Sequence, residues 1–415
     1  MPRVTTTRLV IFALTYLLIA VQQIPGLRLN RPAASLLGAV AMIVIGGLSL
    51  EDAYAAIDLD VIVFLLGVLL LTGYLEVAGF FEWAAAGIVA RMRTPRTLLA
   101  ALVALSGILS AFFVNDTICL VFTPLILAAI RPLELRPLPF LLAIALASNV
   151  GSAMAITGNP QNMLIGIASG IGYARFFAML AVPSLGGLAI VYVVLARLHR
   201  DDLSAPLARP VHPEGFDVDR RLIAKALTVF AGALVGWLAG FSLPLVAIAA
   251  AAVMIAIAQR DPAEAFARVE WSLLLFFAAI FVVMQGVRDL PLFTSLTDAA
   301  AANLGDAPWR DAAITSGAML ALSNLVSNVP AVILWLPIVP RLANPDFMWL
   351  VLAMSSTFAG NLTLLGSMAN LIVAERAQAR GVHLGFTAYL RVGVPVTLLT
   401  MAWGIAVLVL MAGRG

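Results

Sequence analysis

Apolar runs of the length that crosses a lipid bilayer recur along nearly the whole chain. The 415 residues are 62% hydrophobic and only 11% charged, whereas soluble domains carry roughly 25% charged residues. A helix needs about 20 predominantly apolar residues to cross the hydrocarbon core. The sequence therefore predicts an all-α, multi-pass membrane protein that lies in the lipid bilayer, and it excludes a soluble domain.

The residues that most enzymes rely on are scarce. Cys119 is the only cysteine, and the three histidines lie in or near polar connections. No zinc-protease, phosphate-loop or dinucleotide motif occurs in a suitable context. The net charge of +3 comes from arginines in connecting segments, which gives no reason to expect a nucleic-acid partner. We therefore expect no catalytic residues, no metal and no bound cofactor, and an integral membrane enzyme is a distant alternative.

Two stretches interrupt the apolar pattern in the same way. Residues 148–162 read SNVGSAMAITGNPQN and residues 356–370 read STFAGNLTLLGSMAN, so that Ser, Gly and Asn recur 208 residues apart. Proline removes a backbone donor and breaks a helix. Broken backbone at bilayer depth is tolerated only where it lines a cavity inside the protein. Matching interruptions in two halves indicate a secondary transporter's binding site, although Gly and Ser also permit close helix packing.

Each interrupted stretch follows an apolar segment with a polar centre. Residues 98–130 contain Asn115, Asp116 and Thr117, and residues 312–339 contain Ser327 and Asn328. Arms of about 16 residues are short for a full crossing. We therefore predict two re-entrant hairpins whose polar residues lie at the tips.

These patterns predict two repeats, each with about five transmembrane helices, one hairpin and one broken helix. An odd number of crossings makes the second repeat inverted relative to the first. The predicted units are a first repeat (1–198, hairpin 98–130, broken helix 138–168), a polar linker (199–221), and a second repeat (222–415, hairpin 312–339, broken helix 349–376). Arginines cluster in alternate connections, so the positive-inside rule places the linker in the cytoplasm and both termini outside.

The polar residues at the tips and interruptions are the candidates for substrate binding. Helix N-termini at such sites present free N–H groups and a partial positive charge, which suits an anion. A cation site built from the carbonyl ends of the same breaks remains open. The predicted substrate-binding residues are Asn115, Thr117, Gly158, Asn159, Asn162, Ser327, Asn328, Gly366, Ser367 and Asn370.

Asp116 is the acid that lies deepest in apolar sequence. A charge near the bilayer centre costs at least ~2.5 kcal/mol on insertion scales, so such residues are functional by default. We expect Asp116 to hold the coupling ion, either H⁺ or Na⁺. The alternative is that Asp116 caps the second arm of the hairpin.

The two polar tips, each followed by a Gly-x-x-x-Asn element, resemble the ion transporter superfamily. This group includes divalent anion:sodium symporters, citrate transporter-like proteins, arsenite permeases and the melanosomal P protein. VNDT at 114–117 and NVPAV at 328–332 resemble the arsenite permease and P protein branch. The symporters have Ser-Asn-Thr at both tips, so their carboxylate and sodium sites do not carry over intact. The resemblance implies an elevator-like mechanism and a homodimer.

The sequence thus favours a secondary active transporter of a small anion or oxyanion, coupled to H⁺ or Na⁺, in the cell's inner (plasma) membrane. A cation/proton antiporter on the same scaffold is the alternative, with Asp116 as its ion site.

Overall fold

The computed structural model describes residues 2–21, 30–204, 218–304 and 307–413, and within these ranges the chain is helical without strands. The helices of the first half are α1 (Pro2–Val21), α2 (Arg31–Val44), α3 (Leu50–Ala55), α4 (Leu59–Val77), α5 (Phe80–Val89), α6 (Pro95–Phe112), α7 (Asn115–Ile130), α8 (Leu138–Ser152), α9 (Pro160–Ser169) and α10 (Tyr173–Leu198). Those of the second half are α11 (Arg220–Leu238), α12 (Leu243–Ala258), α13 (Pro262–Phe266), α14 (Trp271–Arg288), α15 (Pro291–Asn303), α16 (Pro308–Val326), α17 (Asn328–Trp335), α18 (Pro345–Ala359), α19 (Met368–Gln378) and α20 (Phe386–Ala412).

Side-chain caps set the starts of many helices. Asn30 accepts a hydrogen bond from the backbone N–H of Ala33, and Thr94 forms a reciprocal capping box with Thr97. Such caps satisfy N–H groups that have no partner inside the helix, and each is worth roughly 1 kcal/mol. Proline follows at the first or second helical position of α2, α6, α9, α12 and α18, where its missing donor costs nothing.

Seven helices in the described ranges are long and apolar enough to cross a bilayer. They include both arms of the first predicted hairpin, since α6 already begins at Pro95 and α7 continues through a short 3₁₀ turn to Leu133. The arms are therefore longer than the sequence indicated. The re-entrant path, the inversion of the repeats and the repeat boundaries stay predictions.

The order of elements in the second half follows that of the first. A short helix precedes the third long helix in both halves, as α3 and α13. The last helices, α10 and α20, carry an internal proline at matching positions, Pro183 and Pro395. The long helices also pack across the halves in matching pairs, because α2 packs on α14 and α12 packs on α4.

Two details differ from the sequence interpretation. The polar stretch between α14 and α16 contains a helix, α15, which begins at Pro291 and runs through an alanine-rich segment of high helix propensity. Residues 205–217, most of the predicted linker, lie outside the described residues.

The broken helices lie at the centre of the protein. Helix α8 is buried from Pro139 to Ser152, and α18 is buried from Phe347 to Ala359. Because protein surrounds both helices on all sides, their polar side chains must find hydrogen-bond partners within the protein. Both helices end at an interruption, and the helix that follows each interruption begins at the same cavity.

Candidate functional site

A cavity of about 290 Å³ lies where the two halves meet. Each half contributes the start of the helix after its predicted tip and the start of the helix after its break. The cavity is also lined by the first residues of α2 and α14. Its lining residues are Arg31, Pro32, Asn115, Asp116, Pro160, Gln161, Glu270, Ser272, Leu273, Phe276, Ser327, Asn328, Val329, Ser367, Met368 and Ile372.

The first break spans residues 153–159, between α8 and α9. The sequence interpretation placed the interruption at residues 158–162, but Pro160 begins α9 and Asn162 lies in its first turn. The side chain of Asn159 caps α9 by accepting a hydrogen bond of 2.8 Å from the N–H of Asn162. The Asn162 Nδ2 group donates to three carbonyls, those of Ser152, Ala153 and Ala155, at 3.2, 3.2 and 3.0 Å. One side-chain amide therefore supplies the hydrogen-bond donor for the carbonyls at and just after the end of α8.

The second break spans residues 360–367, and its hydrogen bonds repeat those of the first. Asn370 Nδ2 donates to the carbonyls of Gly360 and Thr363 at 2.8 and 3.2 Å. These acceptors lie ten and seven residues before the asparagine, as Ser152 and Ala155 do before Asn162. The matching Asn residues of the two stretches thus hold the two breaks in the same way.

Both predicted glycines are required by close backbone contacts within the breaks. A Cβ at Gly366 would lie 2.8 Å from the Gly360 carbonyl oxygen and 2.6 Å from Asn324 Oδ1. A Cβ at Gly158 would overlap the carbonyl oxygen of Ser152. Since Ser152 and Gly360 are matching positions, glycine serves the same close packing twice.

Hydrogen bonds cross between the halves in a reciprocal pattern. Asn159 Nδ2 donates to Thr357 Oγ1 at 3.3 Å, and Ser367 Oγ donates to Asn149 Oδ1 at 3.0 Å. Ser367 lies 208 residues after Asn159, and Thr357 lies 208 residues after Asn149. Each break therefore contacts the helix that ends at the other break.

Asn149 connects one tip with the second break. Its Oδ1 also accepts from Asn115 Nδ2 at 3.0 Å, and its Nδ2 donates to Asn361 Oδ1 at 2.9 Å and to Asn370 Oδ1 at 3.1 Å. Asn149 and Asn361 are fully buried. Neither was among the predicted site residues, although both lie inside the repeated stretches that pointed to the site.

The structure divides the predicted substrate-binding residues into two groups. Those that line the cavity are Asn115, Ser327, Asn328 and Ser367, together with the predicted coupling residue Asp116. Those that are buried behind the lining are Thr117, Gly158, Asn159, Asn162, Gly366 and Asn370. Thr117 lies on α7, and the other residues of the second group shape the breaks instead of facing the cavity.

The second tip has an unusual backbone conformation. Ser327 has a φ angle of 78°, which non-glycine residues rarely adopt. Such conformations cost of order 1–3 kcal/mol and cluster at functional sites. Here the conformation ends α16 and lets α17 begin at Asn328, at the edge of the cavity.

Arg31 and Glu270 were not predicted as site residues. The sequence places both in connections between apolar segments. In the structure Arg31 is the first residue of α2 and Glu270 immediately precedes α14, and both line the cavity with Asp116. Asp116 lies in the first turn of α7, one position after its start, so it is not the N-cap residue of that helix.

In the described ranges no group of three or more His, Cys, Asp or Glu residues is arranged to hold a metal ion. The polar surface of the cavity consists of amides, hydroxyls, two carboxylates and one guanidinium. The helices α7, α9, α17 and α19 begin at it, so their N-terminal N–H groups add partial positive charge. Such groups can hold a small polar solute through hydrogen bonds and charge.

Several proteins of similar sequence are named as transporters or membrane proteins. A family model described as a citrate transporter matches residues 16–358. The silicon efflux transporter LSI3 of Oryza sativa subsp. japonica is 31% identical over 95% of this chain and 96% of its own length. The putative transporter arsB of Dictyostelium discoideum is 24% identical over 93% and 88%. The inner membrane protein YbiR of Escherichia coli is 29% identical over 86% and 89%.

The YdaH transporter of Alcanivorax borkumensis has a similar fold, with a TM-score of 0.59 over 99% of this chain and 98% of that chain. At 15% sequence identity this similarity concerns the fold alone. The resemblance seen in the sequence is confirmed by the family match, which extends over most of the chain. The protein is a multi-pass membrane transporter and not an enzyme, and it belongs to the citrate transporter family.

Proposed function

We propose that the protein is a secondary active transporter that carries a small anion or oxyanion across the inner membrane, coupled to H⁺ or Na⁺. The observation that carries the proposal is the cavity at which both predicted tips and both breaks meet. Interrupted helices that meet between two halves form the substrate site in many secondary transporters. An elevator-type movement and a homodimer belong to the proposal as implications of the family resemblance.

An anionic substrate is supported by the electrostatics of the cavity. Four helix N-termini, the amides of Asn115 and Asn328 and the hydroxyl of Ser367 supply hydrogen-bond donors. Arg31 adds a full positive charge. The name of the matched family mentions citrate, which is a carboxylate. The name of the rice relative mentions silicon, which forms oxyacids. Both names agree with the donors that this cavity offers.

The position of the cavity supports an inward-facing state. With the orientation predicted from the arginines, the starts of α2 and α14 lie at the cytoplasmic side of the membrane. Because Arg31 and Glu270 stand at these starts, the cavity would open toward the cytoplasm. The inner membrane location is also supported by the name of the E. coli relative.

A cation/proton antiporter remains the second candidate. It is favoured by the two carboxylates, Asp116 and Glu270, that line the same cavity. In this alternative the acids bind the transported cation and its counter-transported proton, and no anion enters the site.

A ligand screen of the purified protein separates the two functions. A ligand that binds only the native state raises its thermal stability, by about 2.7 kcal/mol at one hundred times its dissociation constant. Citrate, sulfate, phosphate, arsenite and antimonite are tested with and without Na⁺, followed by uptake in proteoliposomes. We expect at least one anion to stabilise the protein and to be accumulated. Stabilisation and transport with monovalent cations alone would instead support the antiporter.

The predicted orientation has its own test. A cysteine introduced at Glu214, which lies outside the described residues, is expected to be protected from an impermeant thiol reagent in right-side-out vesicles. The native Cys119 is buried and gives a low background. Permeabilised vesicles provide the labelling control. Labelling in intact vesicles would show that the true orientation is the opposite of the predicted one. The cavity would then open to the outside.

A further inference from the structure

Three side chains that line the cavity carry charge. Arg31 comes from the start of α2, Asp116 from the first turn of α7, and Glu270 from the residue before α14. Asp116 interacts electrostatically with both of the others. If all three are ionised, one positive charge faces two negative charges. The three side chains together then carry a net charge of −1, which opposes the attraction of an anion by the helix N-termini.

This balance matters because the cavity is partly apolar. Leu273, Phe276 and Val329 are among its lining residues, and Asp116 is only 8% exposed. Charges in such surroundings are screened far less than in water. An anion that approaches Arg31 therefore also meets the electrostatic field of the Asp116 carboxylate in the same cavity.

We propose that Arg31 is the counter-ion of the transported anion and that Asp116 competes with this anion for Arg31. The anion then binds well only when H⁺ or Na⁺ neutralises Asp116, so that anion and cation occupy the cavity together. This inference rests on the proposed function and adds the residue that recognises the anion's charge. It also implies that the anion and the cation cross the membrane in the same direction, as in a symporter, because both occupy the cavity together.

The other charged groups near Asp116 do not line the cavity. Of the helices packed on α7, α5 carries Glu82, and α19 carries Glu375 and Arg376 near its C-terminal end. Helices α6 and α8 contribute no charged side chain to the cavity. Within the part of the chain that the structure describes, the charge balance of the cavity therefore depends on Arg31, Asp116 and Glu270.

The matching positions of the second half carry neither charge. Helix α12 begins Leu243-Pro244 where α2 begins Arg31-Pro32. Helix α17 begins with Asn328 and Val329 where α7 begins with Asn115 and Asp116. Because the second half builds the same elements with leucine and valine, the shared scaffold does not account for Arg31 and Asp116, and a functional role does.

Calorimetric titration of the purified full-length protein tests the proposal. Citrate, sulfate, phosphate and arsenate are titrated into the wild type, Arg31→Gln, Arg31→Lys and Asp116→Asn between pH 5.5 and 8, with and without Na⁺. For a proton-coupled site, the wild-type dissociation constant should rise about tenfold for each pH unit once Asp116 is ionised, because only the protonated fraction binds. For a sodium-coupled site, it should fall as Na⁺ is added.

We expect Arg31→Gln to weaken anion binding at least tenfold under every condition and Arg31→Lys to restore most of the affinity. Asp116→Asn should bind the anion at least as tightly as the wild type does at its optimum, with no dependence on Na⁺. Protonation of the anion itself affects variant and wild type equally, so the ratio of their dissociation constants at each pH does not depend on it. Arg376→Gln, which neutralises an exposed arginine outside the cavity, should bind like the wild type.

The outcomes distinguish this inference from the proposed function. If Arg31→Gln binds an anion as the wild type does, Arg31 is not the counter-ion, while the anion transporter stands. If anion binding by Asp116→Asn keeps the wild-type dependence on pH and Na⁺, Asp116 does not compete with the anion for Arg31. This measurement tests the proposal even if Arg31→Gln fails to fold. If the wild type binds none of the four anions, both the role of Arg31 and the anionic substrate fall.

Discussion

Asp116→Asn is expected to abolish accumulation of substrate against a gradient while exchange of substrate across the membrane continues. Asparagine keeps the shape of the side chain at the start of α7 but cannot bind a proton and no longer carries a negative charge for Na⁺. A carrier without its coupling ion still moves substrate down a concentration gradient. Proteoliposomes measure both activities, as uptake driven by an imposed H⁺ or Na⁺ gradient and as counterflow of labelled substrate.

The matched control is Asp298→Asn on α15. Asp298 pairs with Arg341 at 2.6 Å, but both side chains are at least half exposed, and such surface pairs are worth little. This variant should accumulate substrate like the wild type. If Asp116→Asn still accumulates substrate with unchanged dependence on pH and Na⁺, the coupling ion binds elsewhere, and Glu270 is then the first residue to test.

The repeated stretches could be recognised in the sequence because their chemistry is local. Pro160 and the flanking asparagines disfavour a continuous helix, and the same residue spacing occurs in the second half. What the sequence did not give was the boundary of the first interruption. Helix α8 ends at Ser152, six residues before Gly158, because the Asn162 amide can reach back and satisfy its last carbonyls. Only the folded path of the break shows that contact.

Arg31 and Glu270 could not be assigned from sequence for a related reason. Both lie in polar connections, where charged side chains usually face water. Glu270 immediately precedes α14, yet Asp58, which immediately precedes α4 in the first half, does not line the cavity. The packing of α2 against α14 is what brings the two charges to the cavity. The placement of two residues 239 positions apart in one cavity has no local signal in one sequence.

The repeat explains the architecture of the cavity better than its chemistry. Amide-held breaks and close glycine contacts occur in both halves. The ionisable residues of the lining do not follow the repeat, since Leu243 and Val329 occupy the positions of Arg31 and Asp116. The scaffold thus repeats in both halves, whereas its charges do not, since Arg31 and Asp116 belong to the first half and Glu270 to the second. In the proposed transporter the repeated scaffold serves alternating access, and the unrepeated charges serve coupling.

Asn162→Ala and Asn370→Ala are expected to reduce stability strongly and to lose transport as a consequence. The sequence suggested that both asparagines contact substrate and that the variants would fold normally. The structure places them behind the lining, where each amide group donates to backbone carbonyls at the end of a helix. Removing such a donor costs about 1–3 kcal/mol for each buried carbonyl that has no other partner. Asn162→Ala leaves the carbonyls of Ser152 and Ala153 unpaired and Asn370→Ala that of Gly360, whereas Ala155 and Thr363 still accept from the N–H groups of Gly158 and Gly366. We therefore expect a larger loss of stability in Asn162→Ala than in Asn370→Ala.

Thermal unfolding in detergent, combined with uptake in proteoliposomes, separates the two roles of these asparagines. Asn162→Asp and Asn370→Asp keep the volume and one oxygen but remove the donor, so they should be destabilised as much as the alanine variants. Asn303→Ala is the control for the substitution itself, because the Asn303 amide bonds only to its own helix at an exposed position. Its effect should stay within about 0.5 kcal/mol. Wild-type unfolding temperatures for Asn162→Ala and Asn370→Ala, together with lost transport, would show instead that these amides bind substrate directly, in a state of the transporter where the breaks open onto the cavity.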